Sequence, residues 1–338
     1  MGRVFGGGVF LRCSDYFFLI PLEFLSSFPP PIRVEGRLQR ESRKMDPRFR
    51  GDDNMKLEIN FSLLQKISLG VLASSLTFLC LFFFPKNLAS DKLLKLYFFT
   101  VGQGDSMLIL TPQGDSILID GGPDDTVMRS LDEVIPYWDR KLDYMFLTHL
   151  HADHVNGLLD VLEQYEVGKV FWNNYSYSSP QAEAWVKALS DFKGEVLPFE
   201  KNDRLLLGDT SLEALWPPKD VVFEEDLNNN SMIFQLEYGD FDALLLGDAG
   251  GDIQPLVDWP NDVEVLKVSH HGAAGDFWQG LLEIAKPILA VISVGENDFG
   301  HPSQSTLNLL SRFGVKTYRT DLDGTIEVWT DGRLWGVE

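Results

Sequence analysis

Thr148-His149-Leu150-His151-Ala152-Asp153-His154 places three histidines and an aspartate within six consecutive positions. It follows the apolar stretch Tyr144-Met145-Phe146-Leu147 directly. The whole chain has six histidines, so half of them sit in this one loop. Imidazole and carboxylate are the usual ligands of a hydrolytic zinc or manganese ion. A polar cluster just after a short apolar strand is a poor way to build a core, and a good way to mount a metal at a strand's end.

His149 and His151 are two residues apart on extended chain, so their side chains point the same way and can share an ion. Asp153 and His154 are adjacent and can reach a second ion nearby. Two cations need an anionic bridge, and Asp248 is the candidate. It follows the apolar strand Ala243–Leu246 and lies among Gly247, Ala249, Gly250 and Gly251, which leave room for close approach. The other three histidines also follow apolar strands. His270 and His271 follow Val263–Val268, and His301 follows Ile288–Val294. Of the pair, His270 is expected as the metal ligand and His271 as the group that meets substrate. Asp153, His271 and His301 are the candidate catalytic residues, with His301 placed to contact a phosphate or protonate a leaving group. Asp120, in Asp120-Gly121-Gly122, can orient the metal histidines from behind. Asn230 and Ser231 can bring an amide or a hydroxyl to the site. A simple turn is the alternative reading of Asp120-Gly121 and of Asn228–Ser231.

The rest of the chain frames this site. Residues 1–90 hold 12 Lys and Arg against 8 Asp and Glu, whereas residues 91–338 hold 17 against 42. So acidic a domain lacks the basic track that long nucleic acid needs, which points to a small or short anionic substrate. Both cysteines, Cys13 and Cys80, precede residue 91, so the acidic part has neither disulfide nor thiolate site. Residues 1–54 show no apolar periodicity and are expected to be disordered, or to lie upstream of a true start at Met55. Within 63–85, Ile67 to Phe84 carries no charge and Pro85 ends the run; this length reaches a transmembrane anchor or signal segment. Basic residues from Arg37 to Arg50 put the N-terminus inside and the acidic domain outside, membrane-anchored, or secreted if the segment is cleaved.

From residue 91 short strands alternate with helices, which predicts a mixed α/β domain over 91–338 with two sheets. Expected strands include Leu96–Thr100, Ser106–Leu110, Ser116–Asp120, Tyr144–Leu147, Ser211–Leu215, Met232–Tyr238 and Val263–Val268. Expected helices include Val127–Ile135, Asn156–Tyr165, Gln181–Leu189, Phe277–Ala285 and Ser303–Phe313.

With these residues in place, the chain resembles the metallo-β-lactamase superfamily, whose signature is the His149-x-His151-x-Asp153-His154 pattern. More narrowly it resembles the C-terminal hydrolase domain of ComEC-type DNA internalisation proteins. That likeness is carried by Val101–Ser106, Asp120-Gly121-Gly122, Asn229-Asn230-Ser231, Gly247-Asp248-Ala249, Ser269–Gly272 and Gly300–Ser303. The resemblance implies a four-layer αβ/βα sandwich with the site at the edge between two sheets. It also implies one or two divalent ions, and hydrolysis through a metal-bound hydroxide. The sequence departs from the pattern at Thr100, where an aspartate usually starts the glycine loop. It also lacks a histidine between His154 and His270, a gap that Asn230 or water is expected to fill. A phosphodiesterase of nuclease type is the expected activity. Hydrolysis of a lactam, lactone or thioester, or a non-catalytic membrane-anchored metal module, are the alternatives. Nothing in the sequence names a protein partner.

Overall fold

The computed structural model describes residues 93–175, 178–223 and 226–338, together with the backbone of three short strands near the N-terminus. Those three strands, Val4–Phe5, Gly8–Cys13 and Tyr16–Pro21, form an antiparallel ladder of their own. The remainder of 1–54 and the expected 63–85 segment lie outside the described residues. Among the described residues no helix is long and apolar enough to cross a membrane.

Two sheets make the domain. The first holds eight strands: β1 (Leu94–Phe98), β2 (Met107–Leu110), β3 (Ser116–Ile119), β4 (Lys141–Phe146), β5 (Glu166–Phe171), β6 (Glu195–Leu197), and the late pair β14 (Ile326–Thr330) and β15 (Trp335–Val337). Their order is β15-β14-β1-β2-β3-β4-β5-β6. The second holds β7 (Arg204–Leu207), β8 (Thr210–Trp216), β9 (Ile233–Tyr238), β10 (Phe241–Leu245), β11 (Val265–Lys267), β12 (Leu289–Ile292) and β13 (Lys316–Arg319), in that order. Each sheet begins with antiparallel hairpins and ends parallel: β3 to β6 in the first, β10 to β13 in the second.

The period-two alternation of the strands sorts their side chains into layers. Leu94, Leu96 and Phe98 of β1 face the same buried layer as Phe234 and Leu236 of β9 and Ala243 and Leu245 of β10, between the sheets. On the other side of β1, Tyr97 and Phe99 pack with Leu131, Leu158 and Trp185 of α1 (Thr126–Val134), α2 (Ala152–Gln164) and α3 (Pro180–Asp191). Beyond the second sheet, Leu244 and Leu266 pack with Leu281 and Leu310 of α4 (Gln279–Ala285) and α5 (Gln304–Arg312). Helix, sheet, sheet, helix is the expected four-layer sandwich.

Phe146, at the end of β4, anchors the first histidine loop from below. Its ring stacks on Phe171 at 4.6 Å and meets Phe199 and Phe234 edge-on at 5.1 and 5.4 Å. Such aromatic pairs contribute about 1 kcal/mol each beyond their buried area. Phe234 belongs to the opposite sheet, so this cluster fixes the β4 loop against the second half of the domain.

The predicted elements are found with ends shifted by a few residues, and with one consequential change. Helix α2 begins at Ala152, with His151 as its extended N-cap (φ −84°, ψ 151°). Asp153 and His154 therefore stand in a helix's first turn, where a carboxylate is favoured by the helix dipole. The short strands β5, β6, β7, β13, β14 and β15 are not among the expected ones; β6 is three residues long and exposed along its length, so its apolar pattern is weak.

Candidate metal centre

The parallel strands of both sheets end at one edge, and the loops that leave them carry the polar residues. β3 delivers Asp120, β4 the His149–His154 loop, β10 Asp248, and β11 His270 and His271. Open α/β sheets bind their ligands at the carboxyl ends of strands for this reason.

Three imidazoles converge on one oxygen of Asp248, with Asp153 alongside. Oδ2 of Asp248 lies 3.2 Å from His154 Nε2, 3.5 Å from His271 Nε2 and 4.0 Å from His149 Nε2. Asp153 Oδ2 lies 3.2 Å from His271 Nε2 and 3.9 Å from His154 Nε2. Ligand atoms of Asp153, His154, Asp248 and His271 all fall within 4.8 Å of one another and can hold a metal ion. The His149 ring stands 4.2 Å from that of His154 and 4.6 Å from that of His151. The buried Nε2 atoms of His149 and His154 and Oδ1 of Asp248 have no hydrogen-bond partner among the described residues. Leaving three buried polar atoms unsatisfied costs more than a kilocalorie each, about 1–3 kcal/mol. A cation among them would remove that cost, so the donor set fits a metal.

Three of the histidines are aimed from behind, through Nδ1. Asp120 Oδ2 holds His154 Nδ1 at 2.8 Å and accepts from the Thr148 hydroxyl at 2.7 Å, while its Oδ1 accepts from the Thr148 N–H at 2.8 Å. His149 Nδ1 meets the hydroxyls of Thr148 and Ser231, each at 3.1 Å. His271 Nδ1 donates to the Ser293 carbonyl at 2.9 Å. In all three, Nε2 is left to face inward. Asp120 reaches His154 because the chain there is tightly packed. Its own backbone is left-handed (φ 58°), and a Cβ on Gly157 of α2 would fall 2.0 Å from the Gly121 carbonyl.

The turn after β11 decides between His270 and His271, and it reverses the expectation. Both residues are left-handed (φ 46°, ψ 47° and φ 53°, ψ 22°), a conformation costing on the order of 1 kcal/mol per non-glycine residue. This turn swings His271, 1% exposed, into the centre. His270 is sent outward, where its Nδ1 meets Asp276 at 2.7 Å. Asn230 is also turned away. Its side chain accepts from the Phe223 N–H at 2.8 Å and donates to the Phe223 carbonyl at 2.8 Å and that of Leu227 at 3.3 Å, so it closes its own loop rather than facing the ions. His301 stands at the rim, its ring 5.5 Å from His270 and 6.4 Å from His271.

Two residues outside the predicted set lie underneath. Lys267, fully buried at the end of β11, is ion-paired with the equally buried Asp105 and donates to the Gly247 carbonyl at 2.9 Å. It also stands 3.9 Å from Oδ1 of Asp248. Asp105, Asp120 and His154 form a second group with metal-ligand spacing. In that group Asp105 is already matched by an ammonium and His154 Nδ1 by Asp120, so it acts as scaffold. A lysine at the inward-facing position of an otherwise apolar strand, in register with Val265, is the sequence signal for it.

The charges of the metal-free site follow from this packing. Burial and the neighbouring His154 keep His149 well below the usual imidazole range, hence neutral. Burial opposes protonation of His154 too, but Asp248, Asp120 and Asp153 hold it well above that range. His271, against the same burial, is pushed up to about 10 by Asp248, Asp105 and Asp153. Burial alone would raise Asp248; His271, His154 and Lys267 hold it far below the carboxylate range. Burial raises Asp120 despite His154.

A family model for the metallo-beta-lactamase superfamily matches residues 99–296, which spans the histidine loop, Asp248 and the β11 turn. The chain belongs to the metallo-β-lactamase superfamily. Its homologues are ComEC-type competence proteins. "ComE operon protein 3" of Bacillus subtilis is 30% identical over 248 residues, covering 67% of this chain and 32% of that protein. "Recombination protein 2" of Haemophilus influenzae is 27% identical over 235 residues, 68% of this chain and 28% of that protein. The chain thus spans about a third of the length of the curated relatives it matches. Among solved structures, the metallo-β-lactamase-fold protein YhfI of B. subtilis is similar at 12% identity and a TM-score of 0.48, over 69% of this chain and 99% of that one. The family and the His/Asp groups make the chain a metal-dependent hydrolase in class.

Proposed function

We propose that this chain is a phosphodiesterase of nuclease type, acting on a short anionic substrate. The observation that carries the reading is the convergence of His149, His154 and His271 on one oxygen of Asp248, with Asp153 alongside. Asp248, reached by three imidazoles from both sheets, would supply a shared anionic ligand to the ions held there. His149, His151 and Asp248 would hold one divalent ion; Asp153, His154, Asp248 and His271 the other. Zinc or manganese suits these ligands. When bound, such ions would supply Lewis acidity and lower the pKa of water so that a nucleophile is available near neutral pH.

The chain's own residues prepare that chemistry. Asp120, Ser231 and the Ser293 carbonyl fix three imidazole rings, so little reorganisation is needed when charge develops. His301 is held below the usual imidazole range by burial and by His270 and His271, so it is neutral near pH 7. It can donate a hydrogen bond to a phosphoryl or leaving oxygen without adding charge. The names "Recombination protein 2" and, for a relative from Neisseria gonorrhoeae at 24% identity over 67% of this chain and 31% of that protein, "Competence protein ComA" support a nucleic-acid phosphodiester. The acidic composition supports a short one. Anchoring through 63–85, with the hydrolase domain extracytoplasmic, completes the proposal and rests on that segment's uncharged run.

The test is hydrolysis of bis-p-nitrophenyl phosphate by the full chain loaded with Mn(II) or Zn(II). Turnover abolished by chelator and by His151→Ala is expected. Turnover of nitrocefin or a lactone without phosphodiester cleavage would replace the substrate class. Bound metal with no turnover on any of these would make the protein a binding module.

A further inference from the structure

Beyond His301 the rim of the centre is formed by the loop 295–302, which the Asn297 side chain ties together from within and the Gln103 side chain, accepting from the Gly295 N–H at 3.3 Å, ties at its start. Asn297 donates to the carbonyls of Gly295 and His301 at 2.8 and 2.9 Å, and accepts from the N–H groups of Phe299 and His301 at 3.1 and 3.0 Å. On this clamped loop Phe299 is 75% exposed. Its ring lies 5.7 Å from that of His301, tilted by 32°. Single exposed aromatics are ordinary on protein surfaces. Phe299 differs in its place, since only the His301 ring stands between it and His271, which faces Asp248, and in the hydrogen bonds that hold its mount.

We propose that Phe299 is a stacking platform for the nucleobase of a short nucleotide, whose phosphate lies against the Asp153, His154, Asp248 and His271 group. This rests on the phosphodiesterase reading and names the part of the substrate that the centre itself cannot recognise. A phenyl ring offers its face to any base, and the clamp means that little conformational freedom is lost when a base stacks on it. The flanking residues support a short ligand. Glu296 and Asp298 are both exposed on the same loop and repel further phosphates. In so acidic a domain, an uncharged contact beside the centre is a source of affinity that the surrounding carboxylates do not oppose.

Calorimetric binding of thymidine 5′-monophosphate and of deoxyribose 5-phosphate to the manganese-loaded full chain tests this. The two ligands share a phosphate and sugar and differ by the base. The nucleotide should bind about tenfold more tightly. That ratio should fall to near one in Phe299→Ala and be kept in Phe299→Trp. A wild-type protein that binds the two ligands equally, or an alanine variant that keeps the preference, overturns the proposal. Hydrolysis of thymidine 5′-p-nitrophenyl phosphate is read separately. Its absence would sink the phosphodiesterase reading while leaving a measured base preference standing.

Discussion

The two histidine-bearing turns of this molecule, His149–His154 after β4 and Ser269–Gly272 after β11, serve the same centre by different local means. The first is spelled out along the chain: His149 and His151 bring their rings within 4.6 Å of each other, and the start of α2 carries Asp153 and His154 in its first turn. The second carries two adjacent histidines, of which the backbone selects one. Two successive left-handed residues send His271 to Asp153 and Asp248, and His270 to Asp276. A spaced pattern announces its geometry through the periodicity of the chain. An adjacent pair does not, because only φ and ψ decide which ring faces in.

The largest effect expected from this contrast is in metal content. His271→Ala should lose bound metal, while His270→Ala should keep it, measured as ions per chain on the purified protein. Equal losses in both variants would mean that the second turn does not discriminate between its histidines. A smaller effect tests the support behind the first turn. Asp120→Asn keeps the shape of the side chain but removes the charge behind His154, and should weaken metal affinity by about 10- to 100-fold. An unchanged affinity in a competition with a chelating dye would remove Asp120 from that role.

The smallest effect is in the pH dependence of stability without metal. His271, at about 10, and His154 both lie above the ordinary imidazole value when folded. Their contribution is fully present below about pH 6.5 and is lost as the pH rises toward 10. The thermal midpoint of the chelated protein should fall across that window. The metal-loaded protein, whose histidines have already released their protons, should show a flatter profile. A chelated protein as flat as the loaded one would show that neither turn stores protons.

Much of the centre was legible along the chain. Asp153, His154 and Asp248 come together at the strand ends, His149 stands beside them with the His151 ring 4.6 Å away, and Asp120 and Ser231 hydrogen-bond to His154 and His149. The misreadings have physical causes. Asn230 carries the right chemistry, but its amide is used up by the backbone of Phe223 and Leu227. Asp105 and Lys267 are distant in sequence, and their pairing exists only because the two sheets bring β11 against the loop after β1.

What the sequence determined by itself is the layered α/β architecture and most of the polar side chains that meet at one edge of it. Alternation of apolar residues, strand-end polar clusters and the scarcity of histidine are all local signals. Tertiary structure alone decided which of two neighbouring histidines enters the centre, and that a buried lysine stands beneath Asp248. Those outcomes depend on backbone torsions and on close approach across the sandwich, where a charge survives burial only if the opposite sheet supplies its partner.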